Sequence, residues 1–216
     1  MGSHAIDDLR ALADQDAELA ARITRLTELD AESAAVRQRA EEIDTFFARY
    51  PDEDTRLRRA TDDARAEVEA RRAEHAEAEQ SLAQARNDEA RTYARHALER
   101  AADHIAVAET ALARAEQEHA ALEEDAAALP RQVPELERRA RAVADEAPDV
   151  PAPGEGLRAL VDWGSRAHAA LFVESRQLGA QRELVIREAN ELASAVLGEP
   201  TYGSTVEQAL ARVEAH

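Results

Sequence analysis

The sequence predicts an all-α protein, an elongated rod of antiparallel coiled-coil or helical-bundle type that is built on one very long helix. Apolar residues recur at alternating spacings of three and four from Ala5 to Leu129, and this period of about 3.5 residues is typical of helices that pack along a seam. Charged residues make up 33% of the chain and aromatic residues only 3%. Such a composition suits a thin core between long helices and not the thick core of a globular domain.

The longest helices are predicted on either side of Pro51. The first helix covers residues 5–49 and ends there, because a proline disfavours the helical conformation of the residue before it, here Tyr50. Residues 50–54 then form a tight turn, and a second helix returns antiparallel over residues 53–129. A polar stretch, residues 86–96, interrupts the apolar repeat of this second helix. We interpret it as a change of packing partner.

The rest of the chain predicts shorter helices and one linker. A helix over residues 134–147 begins at Pro134 and is followed by the linker 148–156, which contains three prolines and two glycines. Helices are predicted over residues 157–197 and 205–215, in a C-terminal segment 157–216. Adding the helix lengths predicts two helices side by side at the ends of the rod and three in the middle. Residues 1–4 are set aside as an expression remnant or a disordered start.

Charge and composition exclude several classes of function. The net charge is −18 and no predicted segment is basic, which argues against nucleic-acid binding and against an anionic membrane surface. The absence of cysteine excludes disulfides and thiolate metal sites. No apolar run is long enough to span a bilayer, and the first residues lack the pattern of a signal peptide. We therefore expect a cytoplasmic protein.

The sequence offers one weak metal motif and no catalytic motif. Glu116 and His119 have the Glu-x-x-His spacing of di-iron helical bundles, but such a site needs a second copy of the motif, which this sequence lacks. We interpret His119 as a seam residue and predict no metal site and no cofactor. Nucleophile-elbow, phosphate-loop and His-Glu-x-x-His motifs are also absent. These observations predict a protein that is not an enzyme.

The predicted function is a non-enzymatic coiled-coil scaffold or spacer for protein–protein interaction or self-assembly. Its helical seams would bind protein partners or a second copy in a homodimer. Two alternatives are a membrane-associated coiled coil that responds to curvature or stress, and a regulatory arm of a larger ATPase or secretion complex. The candidate interaction surface consists of Leu160, Trp163, Phe172, Ile186, Leu197 and Tyr202.

Trp163 has two interpretations at this stage. As the only tryptophan it is a candidate binding hot spot. It is equally a candidate core residue at a junction of three helices, where Gly164 would provide the space.

Overall fold

The computed structural model describes residues 2–147 and 149–215, and Met1, Pro148 and His216 lie outside the described residues. The described part is almost entirely helical and contains no strand, so the predicted all-α class is confirmed. The helices are α1 (Gly2–Gln84), α2 (Asp88–Ala128), α3 (Val133–Glu146), α4 (Leu157–Leu197) and α5 (Val206–Glu214), with a 3₁₀ turn at Leu129–Gln132. The last three α-helices lie where the sequence pattern predicts them, and residues 2–4 continue α1.

The predicted turn at residues 50–54 is wrong, because α1 continues through Pro51 to Gln84. The predicted helices 5–49 and 53–129 are therefore replaced by α1 and α2. The apolar repeat keeps its phase across the proline, as the buried and half-buried positions show: Ile43, Phe47, Tyr50, Asp54, Leu57, Thr61, Ala64 and Val68. A continuous helix keeps all of these positions on one seam. Pro51 itself is exposed, so its ring and its missing N–H face away from that seam.

The chain reverses instead at residues 85–87, at the start of the polar stretch 86–96. Asn87 has extended backbone angles and caps α2, since its side chain accepts a hydrogen bond of 2.7 Å from the Ala90 N–H. Asp88 and Glu89 follow in the first turn, where carboxylates interact favourably with the helix dipole. The polar stretch therefore contains the end of a connection between two helices and the first turns of α2, and it is not a change of partner along one helix.

Two compact units divide the chain, and α1 contributes to both. The second unit, Ile43–Gln132, is an antiparallel hairpin of the C-terminal half of α1 and α2. Cross-helix ion pairs show its register, Arg65 with Glu116 at 3.2 Å and Arg72 with Glu109 at 2.7 Å. Each helix of the hairpin is about 60 Å long. Its buried residues beyond Ile43 are Leu57, Thr61, Val68, Ala94, Ala101 and Ala108.

The first unit contains the N-terminal half of α1, up to Glu42, and the chain from Val133 onward. Three helices lie side by side at each of two levels. At one level α3 and α4 both run antiparallel to α1, with Arg139 bonded to Glu32 and His168 to Asp30. At the other level α1, α4 and α5 share an apolar cluster: Leu9, Val185, Ala189, Ala193, Val206, Ala209 and Val213.

Asp16 joins the three helices at this second level. Its side chain is almost fully buried, and one carboxylate oxygen accepts a 2.6 Å hydrogen bond from Arg182 Nε on α4. The other oxygen lies 3.4 Å from the backbone N–H of Val206, the first residue of α5. Because the first N–H groups of a helix have no intrahelical acceptor, this carboxylate fixes the start of α5 against α1.

We expect Pro51→Ala to stabilise the protein, because alanine restores a backbone N–H and a favourable helical residue in the interior of α1. The free energy of unfolding should rise by as much as about 3 kcal/mol. Urea unfolding followed by circular dichroism measures the change. Pro134→Ala is the matched control, because Pro134 stands in the first turn of α3, where proline is tolerated. Equal or lower stability of the Pro51 variant would contradict a continuous α1.

Candidate interaction surface

Trp163 and Leu160 lie in the interior of the first unit, and both side chains are fully buried. The Trp163 indole N–H donates a 2.9 Å hydrogen bond to the Pro151 carbonyl, so the linker closes over the ring. Gly164 faces Arg37 of α1 so closely that an added Cβ would lie 2.5 Å from the arginine Cβ. These two predicted surface residues therefore form core, which agrees with the second interpretation of Trp163 as a core residue.

The other four predicted residues lie at or near the surface. Phe172 is 53% exposed and Tyr202 is 83% exposed. Ile186 and Leu197 are half-buried, because part of each side chain packs against the apolar cluster of α1, α4 and α5. The structure brings Ile186 and Tyr202 together on one open groove and places Phe172 elsewhere on α4.

This groove, called the α4 groove below, lies between the last turns of α4 and the loop 198–204. It has a volume of about 1080 Å³ and is open to solvent. Its lining contains apolar and polar residues and neither histidine nor cysteine: Glu183, Ile186, Arg187, Asn190, Glu191, Ser194, Ala195, Gly198, Glu199, Pro200, Thr201, Tyr202, Gly203 and Ser204. Such a lining can bind side chains, but it offers no nucleophile paired with a base.

Polar side chains of α4 hold the loop that forms one wall of the groove. Gly198 ends α4 with a φ of 75°, in the left-handed region that glycine adopts without strain. Asn190 bonds both backbone groups of Gly203, accepting from its N–H at 2.6 Å and donating to its carbonyl at 2.9 Å. Ser194 accepts a 2.8 Å hydrogen bond from the Thr201 N–H. The loop is thereby fixed while Tyr202 between these anchors stays exposed.

A second group of polar side chains lies in the hairpin unit, and sequence reasoning missed it. His119 Nε2 lies 2.9 Å from Asp54 Oδ1 and 3.8 Å from Glu123 Oε1. The hydrogen bond with His119 is the main cause that lowers the pKa of the Asp54 carboxyl below its usual value. Glu116, the residue that the sequence pattern pairs with His119, bonds Arg65 instead.

The sequence contains the pattern that indicates this cluster, but the pattern can be interpreted only when the position of the turn is known. Asp54 and His119 both stand at seam positions of the apolar repeat, where a polar residue is unusual. With the turn placed at residues 50–54 they could not face each other. With the turn at 85–87 they lie at comparable distances from it along the two helices.

Comparison of the chain with protein-family models, with curated proteins and with solved structures gave no match. A search of the described helices found none that is both long enough and apolar enough to cross a membrane. The site is therefore interpreted from its own geometry.

We expect Gly164→Ala to destabilise the first unit by about 1–3 kcal/mol, because the added methyl would collide with Arg37 at the closest approach of α1 and α4. Thermal and urea unfolding measure this loss. Gly179→Ala is the matched control in the same helix, since its Cβ would meet open space. That control should gain up to about 1 kcal/mol from helix propensity. If both substitutions changed the free energy of unfolding in the same direction, the close packing of Gly164 against Arg37 would be contradicted.

Proposed function

We propose that this protein is a non-enzymatic coiled-coil scaffold that binds a protein partner through the α4 groove. One observation carries the proposal: Tyr202 is 83% exposed at the wall of an open groove that it shares with the half-buried Ile186. The other large apolar side chains that the first unit exposes among the described residues, Phe172, Val173, Leu184 and Val196, lie on α4 outside this groove. An exposed aromatic side chain beside a concave groove is typical of an interaction surface.

The α4 groove is the most developed part of this surface. Tyr202 stands exposed beside a half-buried Ile186, and tyrosine contributes large contact area at protein interfaces with little loss of conformational entropy. The loop that carries Tyr202 is already held by Asn190 and Ser194. Binding therefore requires little ordering of the loop, which favours affinity.

The charge of the groove rim favours one kind of partner. Glu183, Glu191 and Glu199 line the groove together with a single basic residue, Arg187. A partner segment with apolar side chains flanked by basic ones is complementary to this rim. A second copy of the chain is less complementary, because its own net charge is −18.

The hairpin unit suits the role of a spacer in such a scaffold. Its two antiparallel helices expose most of their surface, and ion pairs join them across the flanks. A helical hairpin about 60 Å long spans distance with few residues buried. This arrangement supports a mechanical role for residues 43–132 and requires no chemistry of them.

The test is binding of synthetic helical peptides that differ only in the residues flanking an apolar stripe, arginine in one set and glutamate in the other. We expect the arginine set to bind more tightly. Tyr202→Ser should weaken that binding at least about tenfold, because it removes the exposed aromatic side chain of the groove. Tyr93→Ser is the matched control, since Tyr93 is a similarly exposed tyrosine of the hairpin.

Fluorescence polarisation measures the peptide affinities, and sedimentation equilibrium measures the oligomeric state of the same samples. Equal binding of both peptide sets, or equal loss in both tyrosine variants, would contradict the proposed groove function. If the unaltered protein forms a stable dimer and Tyr202→Ser dissociates it, the groove binds a second copy of the chain. This result would contradict the proposal that the partner is a different protein.

A further inference from the structure

The seam of the hairpin contains a polar pair where its repeat would place apolar residues. Asp54 on α1 follows Tyr50 and precedes Leu57 on the seam, and His119 on α2 precedes Leu122. The Asp54 and His119 side chains are only 14% and 19% exposed. Burial of these groups costs free energy unless partners satisfy them, so their position on the seam calls for a specific partner.

Glu123 completes a group of three potential ligands. It lies one helical turn after His119, so both side chains occupy the same face of α2, and Asp54 approaches from α1. One ligand atom from each residue lies within 4.8 Å of the other two. His119 Nε2 is the central atom, at 2.9 Å from the Asp54 oxygen and 3.8 Å from the Glu123 oxygen.

We propose that Asp54, His119 and Glu123 bind one divalent transition-metal cation of the zinc class, which bridges the two helices of the hairpin. Ligands at about 2.0–2.1 Å from a tetrahedral zinc ion lie about 3.3 Å from one another. The two observed distances from Nε2 bracket this value. Loss of the Nε2 proton to water and small side-chain adjustments would place the imidazole nitrogen and both carboxylates around one ion, with water in the remaining position.

The chemistry of the ligands selects the class of metal. An imidazole nitrogen with two carboxylate oxygens suits zinc and its neighbours in the transition series. Magnesium prefers an all-oxygen octahedral shell with several waters, and the absence of cysteine at the site disfavours soft cations.

Arg58 is the group that competes most directly with a metal. Its Nε lies 3.1 Å from Asp54 Oδ1, the same oxygen that faces His119. The Arg58 side chain is 61% exposed and stands on the outer side of the pair, so it can move into solvent or shift to Asp54 Oδ2. Removal of this guanidinium should therefore strengthen metal binding.

A bound ion would stabilise the hairpin. It would hold α1 and α2 together near the end of the hairpin away from its turn, in a unit that buries few large side chains. A cation that binds the folded state and not the unfolded chain raises stability with its concentration. The inference is independent of the α4 groove, which lies in the other unit.

The experiment is isothermal titration of chelator-treated, full-length protein with zinc chloride, together with the same titration using magnesium chloride. We expect one saturable zinc site and no corresponding magnesium site. Glu123→Gln should weaken zinc binding at least about tenfold, since even changes to outer partners of a metal site have effects of that size. His119→Leu should abolish binding, and Arg58→Ala should strengthen it.

Glu116→Gln is the matched control, because Glu116 has the Glu-x-x-His spacing to His119 but pairs with Arg65. It should bind zinc as the unaltered protein does. Glu123 is more than half exposed, so its substitution leaves the packing of the hairpin intact. Thermal unfolding with and without zinc gives a second measurement, in which only proteins with all three ligands should gain stability.

Two outcomes would overturn the proposal. One is the absence of saturable zinc binding by the unaltered protein. The other is equal binding by the unaltered protein, Glu123→Gln and His119→Leu, which would place the ion at other side chains of this acidic chain.

Discussion

The first unit depends on the close approach of helices through very small side chains. Ala40 of α1, Ala140 of α3 and Ala167 of α4 are all fully buried, and Gly164 leaves no room for a further methyl group beside Arg37. Because alanine buries little apolar area, the free energy of folding must come from many van der Waals contacts at short separation and from a few large side chains. A thin core of this kind has no space to absorb an added atom, which explains why so few residue types occupy the seams.

Polar contacts then specify which residues face each other across such uniform seams. Pairs that bridge helices at the surface, such as Arg25 with Glu146, contribute little free energy because water screens them. Asp16 differs because it is buried, and its carboxylate has lost water that only Arg182 and the Val206 N–H replace. A shift of α4 or α5 by one turn would leave that carboxylate unsatisfied. The polar group therefore fixes the register that alanine cannot fix.

The sequence was sufficient for the helical class and for α4, because a 3.5-residue period and a Pro/Gly linker determine them locally. It was insufficient for the hairpin turn, since Pro51 was given more weight than the unchanged phase of the repeat from Ile43 to Val68. Asn87 is a residue type that caps helices and so indicates the start of α2. It lies in a stretch of polar residues, where a single capping residue does not stand out. Ile186 and Tyr202 of the α4 groove were predicted as surface residues, but their meeting in one groove depends on tertiary register. The Asp54 cluster could be predicted only with the turn placed at residues 85–87.

Polar seam residues of the hairpin differ in whether their partners lie on their own helix or on the other helix. Arg71 and His75 also occupy seam positions, but they face acids of their own helix: Arg71 bonds Glu67 and Glu74, and His75 lies 3.7 Å from Glu79. These contacts form whether or not α2 is in place. Asp54 and His119 also have charged neighbours on their own helices, Arg58 and Glu123, but they add a 2.9 Å hydrogen bond across the seam that exists only when α1 and α2 are paired in this register. Among these polar seam residues, the contact that depends on hairpin formation is therefore the one between Asp54 and His119.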